Sequence, residues 1–385
     1  MKYKSAMFSL ACIFTILCLT MPMTFGYVLT NSKWAESSVP VVYTSSVPSA
    51  YKTAIGNASK TWSQAGANIA FHNSSSTTNA VNISFVDKLP PMSGEPAPWD
   101  AVAGTYNLVY SSNNSRYYSS DIRFKSGAGW SSSVGPDLES VALHEFGHAL
   151  GLGHTQILNY TKSIMWTTTP PVVNRRNLLS DDIAGIKAKY GTHKSSSINP
   201  TGNVFVSASN LSEYEKEIFQ RNELMEKSIF DANQIVTVSL YYLPLSDEKL
   251  TDQADLIIRG TIKETLPAKW STSDGLAPKA GYDNDPYSYT MSHDTIVKVD
   301  EVFKGNVGDE AVIRQTGGIV DGVAIVDSDS INYIKGDEVL LYLTEGKYST
   351  KESPYYLVVP VQGELLIVNE KAVNPYGQLI DSKYL

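Results

Sequence analysis

Apolar positions change their spacing several times along the chain. Tyr51, Ala54, Ile55, Ala58, Trp62 and Ala65 recur at helical intervals and stop at Gly66, which predicts a first helix. Short alternating runs follow at Asn68–Phe71, Val81–Val86, Val102–Tyr110 and Asp121–Phe124, and they read as strands between loops rich in Ser, Asn, Gly and Pro. Pro136 and Asp137 open a second helix that carries His144 and His148. Ser180 opens a third, with Asp181 and Asp182 in its first turn, where the helix dipole favours acids. Thr192–Asn210 is polar, contains Pro200 and Gly202, and reads as a linker. Beyond it, Leu211, Tyr214, Ile218, Met225 and Ile229 predict another helix. The remainder is strand-rich, with runs at Ile235–Leu243, Leu256–Ile262, Thr295–Phe303, Val312–Gln315, Val339–Leu343, Tyr356–Val361 and Glu364–Val368.

The 385 residues are enough for two domains that each bury a core, so the chain divides into 1–26, 27–191, a linker at 192–210, and 211–385. The first 26 residues carry Lys2 and Lys4, a short apolar run from Phe8 to Leu19, and then Pro22 before small residues at Thr24 and Gly26. That order predicts a secretory signal and an extracellular protein; the apolar run is short for a membrane anchor, the other reading of the segment. Composition agrees, with 42% hydrophobic and 18% charged residues and no later stretch apolar enough to span a bilayer. A net charge of -8 argues against nucleic acid or anionic lipid as a partner. Both cysteines, Cys12 and Cys18, fall inside the expected signal, so the remaining chain holds no disulfide, thiolate ligand or thiol nucleophile. An exported protein without disulfides points to a bacterial source.

Candidate chemistry concentrates in HEFGHALGLGH, from His144 to His154, which holds three of the six histidines. Residues four apart on a helix share a face, so His144 and His148 can bind one ion. Gly151 supplies the backbone freedom for a sharp turn, and that turn returns His154 as a third ligand. Three nitrogens and one open position form the pattern of a catalytic zinc rather than a closed structural one. Glu145 sits beside such an ion without ligating it, placed to take a proton from bound water and pass it to a leaving amine.

The same residues carry a resemblance. His144–His154 is similar to the metzincin motif HExxHxxGxxH, and SIMW (Ser163–Trp166) resembles the methionine turn that follows it. LLSDDIAGIKAKYG (Leu178–Gly191) resembles the closing helix of matrixins, the matrix-metalloproteinase-like metzincins, and DIRFKSGAGW (Asp121–Trp130) their strand and tryptophan ahead of the zinc helix. The resemblance implies a metzincin catalytic domain over Tyr27–Gly191, one catalytic zinc, protein or peptide substrates, and Met165 as an apolar floor beneath the metal. Three departures accompany it. The stretch from Thr155 to Ile164 is longer than usual in the family. Lys125 and Ala128 stand where calcium-binding acids would be expected, and His72 is the only histidine ahead of the motif, so neither calcium nor a second zinc is evident. No segment with a zinc-blocking cysteine is expected between Gly26 and the domain.

The fold class is therefore α+β, a metzincin domain with a twisted mixed sheet and zinc cleft, followed by a β-rich barrel. An extended substrate would pair with an exposed strand edge, and Val102–Tyr110 is the candidate; a purely structural strand is the alternative. ADLIIRGTI (Ala254–Ile262), VDEVFKG (Val299–Gly305) and GDEVLLYL (Gly336–Leu343) suggest a small antiparallel barrel. Their order resembles the oligonucleotide/oligosaccharide-binding-type barrel of netrin-like modules. That domain is expected to bind a substrate or surface, with restraint of the catalytic domain and simple stabilisation as alternatives. His193 and His293 read as solvated loop residues, and nothing asks for more than a monomer. The leading reading is a secreted zinc endopeptidase. The competing one is a binding or adhesion protein on a vestigial metzincin scaffold, which would have no use for the carboxylate of Glu145.

Overall fold

A computed structural model describes residues 26–89, 101–110, 116–130, 135–155, 163–166, 174–192, 212–229, 232–272, 275, 291–345 and 354–384. The expected signal before Gly26 and the expected linker after Thr192 lie outside the described residues. No described helix is long and apolar enough to cross a membrane.

The first half runs β1 (Val28–Leu29), β2 (Ser38–Tyr43), α1 (Lys52–Ser63), β3 (Ala70–Asn73), β4 (Val81–Val86), β5 (Ala103–Tyr110), β6 (Tyr117–Lys125), α2 (Leu138–Ala149), β7 (Leu152–Gly153) and α3 (Ser180–Tyr190). The expected helices form, and Asp137 caps α2 as its sequence position suggests, accepting from the Ser140 amide at 2.9 Å. α1 turns Ile55, Ala58 and Trp62 inward, and the Trp62 indole donates to the Leu143 carbonyl at 2.8 Å, tying α1 to α2. Phe146, Leu143, Ile83, Ile122 and Phe124 complete this core between the helices and the sheet.

The second half runs α4 (Glu213–Ser228), β8 (Gln234–Tyr241), α5 (Asp247–Gln253), β9 (Leu256–Thr265), β10 (Lys269–Trp270), β11 (Met291–Lys304), β12 (Glu310–Thr316), β13 (Gly318–Val320), β14 (Val323–Asp327), β15 (Glu338–Glu345), β16 (Tyr355–Leu357), a short helical turn at Pro360–Gly363, then β17 (Glu364–Val368), β18 (Lys371–Val373) and β19 (Leu379–Ile380). A barrel closes here, as the sequence suggests. β9 pairs with β11 on one side and β15 on the other, β11 continues to β12, β12 to β16 in parallel, and β16 returns to β15. Ile258, Ile262, Val297, Ile313, Val339 and Leu341 fill it. α4 lies against the barrel through Ile218, and Arg221 reaches both oxygens of Asp337 at 2.6 and 2.9 Å. His293 lies on β11, half-buried, with its Nδ1 bonded to the Gly317 carbonyl, rather than in a solvated loop.

The two halves share a sheet. Its order is β13-β14-β8-β5-β6-β4-β2-β3, so three strands from beyond residue 211 extend the sheet of the first half. The edge of Val102–Tyr110 is consequently not exposed. β8 pairs antiparallel along the whole of β5, from Ala103 opposite Tyr241 to Tyr110 opposite Gln234, and the Val102 amide adds a bond to the Tyr241 carbonyl. β5 is buried on both faces: Thr105 and Asn107 bond α2, while Tyr106 and Leu108 pack with Val236, Val238, Leu240, Ile257 and Leu340.

Candidate active site

The metal centre is assembled by α2 and the turn that ends it. Gly151 has φ +84°, in the left-handed region that glycine enters without steric cost, and a Cβ there would meet the Ser32 carbonyl at 2.8 Å. The chain then pairs β7 with β1 and delivers His154 back over the last turn of α2. The Nε2 atoms of His144, His148 and His154 stand 3.0–3.1 Å apart. All three rings are buried.

Their tautomers are set from behind. His144 Nδ1 donates to the Ile164 carbonyl at 2.8 Å and His148 Nδ1 to the Leu152 carbonyl at 2.9 Å. His154 Nδ1 donates to the Asp329 carboxylate at 2.9 Å. With each proton on Nδ1, three Nε2 lone pairs converge on one point. Burial pushes the His144 pKa down to about 3 and that of His148 well below its usual value, with the neighbouring His154 adding to both, so these two stay neutral. Neutral imidazoles converging at this spacing fit one ion with Zn–N bonds of about 2.0–2.1 Å.

The methionine turn supports this arrangement from α3. Asp182 accepts from the Ser163 hydroxyl at 2.6 Å, the Ile164 amide at 3.0 Å and the Leu179 amide at 2.8 Å. That holds the Ile164 carbonyl where His144 needs it. Met165 is buried, its sulfur against Gly147 of α2 so closely that a Cβ there would lie 2.3 Å away. Asp181, its neighbour, instead accepts from the Gly26 and Tyr27 amides at 2.6 and 3.1 Å, seating the start of the described chain on α3.

Glu145 is fully buried between α2 and β5. Its Oε2 accepts from the Thr105 hydroxyl at 2.6 Å, and its Oε1 has no hydrogen-bond partner among the described residues. Burial raises the carboxyl to about 8, although the Thr105 bond acts the other way. A metal cation next to it would also favour the carboxylate. A buried carboxyl with one oxygen anchored and the other unbonded is suited to moving a proton.

Sequence reasoning singled out His144, Glu145, His148, Gly151, His154 and Met165; the fold brings the three histidines together, sets Gly151 in the turn before His154, and buries Glu145 against Thr105 and Met165 against Gly147. It missed four others. Thr105 lies in a segment singled out as a strand, but no motif marks a lone threonine. Asp329, in the turn after β14, and Tyr376, between β18 and β19, come from far along the chain. The Tyr376 hydroxyl donates to Asp329 at 2.6 Å and its ring packs edge-on against His154 at 5.4 Å. Burial works to raise Asp329, but His154, the Leu240 amide and Tyr376 outweigh it and hold the carboxyl below the usual range. The Tyr241 ring, at the end of β8, packs edge-on against His144 at 5.3 Å.

Comparison with known proteins agrees with this geometry. Residues 39–191 match the peptidase M10 family, described as Matrixin. Metalloendoproteinase 1 of Glycine max is 36% identical over 143 residues, which are 36% of this chain and 45% of that protein. Metalloendoproteinase 4-MMP of Arabidopsis thaliana is 34% identical over 113 residues, 28% of this chain and 31% of that protein. Human neutrophil collagenase is 31% identical over 191 residues, 47% of this chain and 38% of the collagenase. The chain thus spans less than half the length of each of these relatives. With the three converging histidines, these similarities make residues 39–191 a matrixin-like metzincin domain.

Proposed function

We propose that the chain is a secreted zinc-dependent endopeptidase that hydrolyses peptide bonds of extracellular proteins. The observation that carries the reading is the conjunction at α2: three Nε2 atoms within 3.1 Å of one another, with the buried Glu145 on the same helix holding an Oε1 that has no hydrogen-bond partner among the described residues. His144, His148 and His154 would hold the zinc, which when bound acidifies water and polarises a carbonyl.

The chain's own residues supply the rest. Glu145 accepts the proton of the attacking water on Oε1 and returns it to the amine that leaves. Thr105 anchors Oε2, so the carboxyl keeps one orientation through both transfers. The outer edge of β5, which β8 occupies here, carries the backbone donors and acceptors against which an extended substrate would align once that edge is free. The vestigial-scaffold reading gains nothing from the geometry, since a binding module has no need of a buried carboxyl with a free oxygen.

The test pairs the chain from Tyr27 to Leu385 with its Glu145→Ala variant, both loaded with zinc. Each is incubated with an unbiased peptide pool, and new termini are read by mass spectrometry. Bound zinc should stay near one per chain in both, with internal cuts made only where Glu145 is present and lost on chelation. Absence of Glu145-dependent cuts from every form of the chain, including the opened forms described below, would sink the peptidase reading.

A further inference from the structure

Resting on that peptidase reading, we propose that the chain is latent as folded: β8 lies in the substrate's place along β5, and Asp329 and Tyr376 fasten the second half to His154 through its Nδ1. Backbone pairing is the first observation. A substrate aligned by β5 needs its outer edge, and β8 pairs with every residue of it. Gly104 leaves no room beside the ladder, since a Cβ there would lie 2.6 Å from Leu240. A tethered strand competes at an effective concentration on the order of millimolar, above ordinary levels of any single peptide substrate.

The second observation is independent of the ladder. Tyr241 covers His144 while Tyr376 and Asp329 cover His154, so residues from three separate segments beyond residue 211 converge on the metal centre. The Leu240 amide donates to Asp329 at 2.8 Å, which joins the strand and the fastening into one unit.

Opening need not disturb the catalytic domain. The fully buried members of its core run from Trp34 to Ile186, with Tyr241 the sole contribution from the second half among the described residues. Lifting β8 would cost the ladder, the packing of Tyr241, Ile235 and Leu243, and the apolar cover of Tyr106 and Leu108, while leaving the packing of α1 and α2 on the sheet from β5 to β3 in place. The device is therefore a pseudosubstrate strand carried on the C-terminal side, and the barrel is its platform.

The chain is suited to a direct test because it has no cysteine after Cys18. Cysteines placed at Tyr110 and Gln234, which face each other at the end of the ladder remote from Tyr241, would lock β8 shut in the oxidised full chain. Two opened forms complement the lock. Val238→Pro breaks β8, and a specific-protease site between Ser196 and Ser197 frees the second half to leave on dilution. Turnover of a peptide pool and bound zinc are measured for these three and the wild type, each beside its Glu145→Ala counterpart. Latency predicts that the locked chain gains at least tenfold on reduction. An opened form should exceed the wild type at least tenfold at equal zinc, with the cut chain growing more active as it is diluted. If Val238→Pro does not fold, the cut chain decides. Equal Glu145-dependent rates in locked, wild-type and opened chains would overturn latency and leave the peptidase standing. Silence from all forms with zinc bound would overturn the peptidase reading, and latency with it.

Discussion

Thr105 anchors the carboxyl that the proposed mechanism uses to move a proton. Its hydroxyl is the described hydrogen-bond partner of Glu145 Oε2, and losing a buried bond to an ionisable group costs about 1.5–3 kcal/mol. Thr105→Val, which keeps the volume, should lower kcat by roughly ten- to a hundredfold with zinc content unchanged, in a steady-state assay on an opened form. Gly147 makes a second residue-scale prediction. A Cβ there would sit 2.3 Å from the Met165 sulfur and 3.0 Å from the Trp62 ring. Gly147→Ala should therefore cost about 1–3 kcal/mol by overpacking, read as a lower Tm. At this scale the sequence was most informative where residues are close in the chain. The spacing of His144, His148 and His154 and the turn at Gly151 are local, so helical geometry alone brings them together. Asp329 and Tyr376 reach His154 only through tertiary structure, and nothing in their neighbourhoods announces it.

Among the elements, periodicity predicted existence better than extent. β4 and β17 occupy the expected residues, whereas β6 begins at Tyr117 and β11 at Met291, earlier than their apolar runs suggest. Pairing with a neighbour extends a strand into polar sequence. β2, Ser38–Tyr43, escaped notice because Pro40 interrupts its pattern, and Pro360–Gly363 coils where an unbroken strand was expected to Val361. The barrel offers a prediction of its own. Glu364 is fully buried on β17, where it accepts from Gln315 and from the Ile331 amide, and burial pushes its carboxyl up to about 8. Between the ordinary value of 4.5 and about 8 the folded chain holds a proton that the unfolded chain has released. Stability must therefore fall as pH rises through that window, by at most about 1.4 kcal/mol per pH unit. Urea unfolding at pH 5 and pH 8 should show the barrel more stable at pH 5. Glu364→Gln should lower stability at both values but flatten the difference.

Across the whole molecule, the α+β class and the barrel were legible, and the junction was not. Ile235–Leu243 reads as one more strand, and a strand's sequence does not say which sheet it joins. That β8 would leave the barrel for β5 became visible only in the register from Ala103 to Tyr110. Metal removal should be felt at this scale too. An ion that binds only the folded state stabilises it by about 4 kcal/mol at a thousand times its Kd. Chelation should accordingly lower Tm by several degrees, and titrating zinc back should restore it.

The bond between Asp329 and His154 Nδ1 has a thermodynamic consequence of its own. A carboxylate behind a ligating imidazole strengthens its hold on a metal, commonly by ten- to a hundredfold. Linkage is reciprocal, so whatever factor the closed barrel adds to zinc affinity, zinc must add to closure. The metal that would arm the site thus also draws the shutter tighter, and a chain poor in zinc should breathe more freely than a loaded one. Any protein, surface or protease that pulls the barrel away would then weaken the site's grip on its ion at the moment of release, so the opened enzyme should be the form most readily disarmed by competition for zinc.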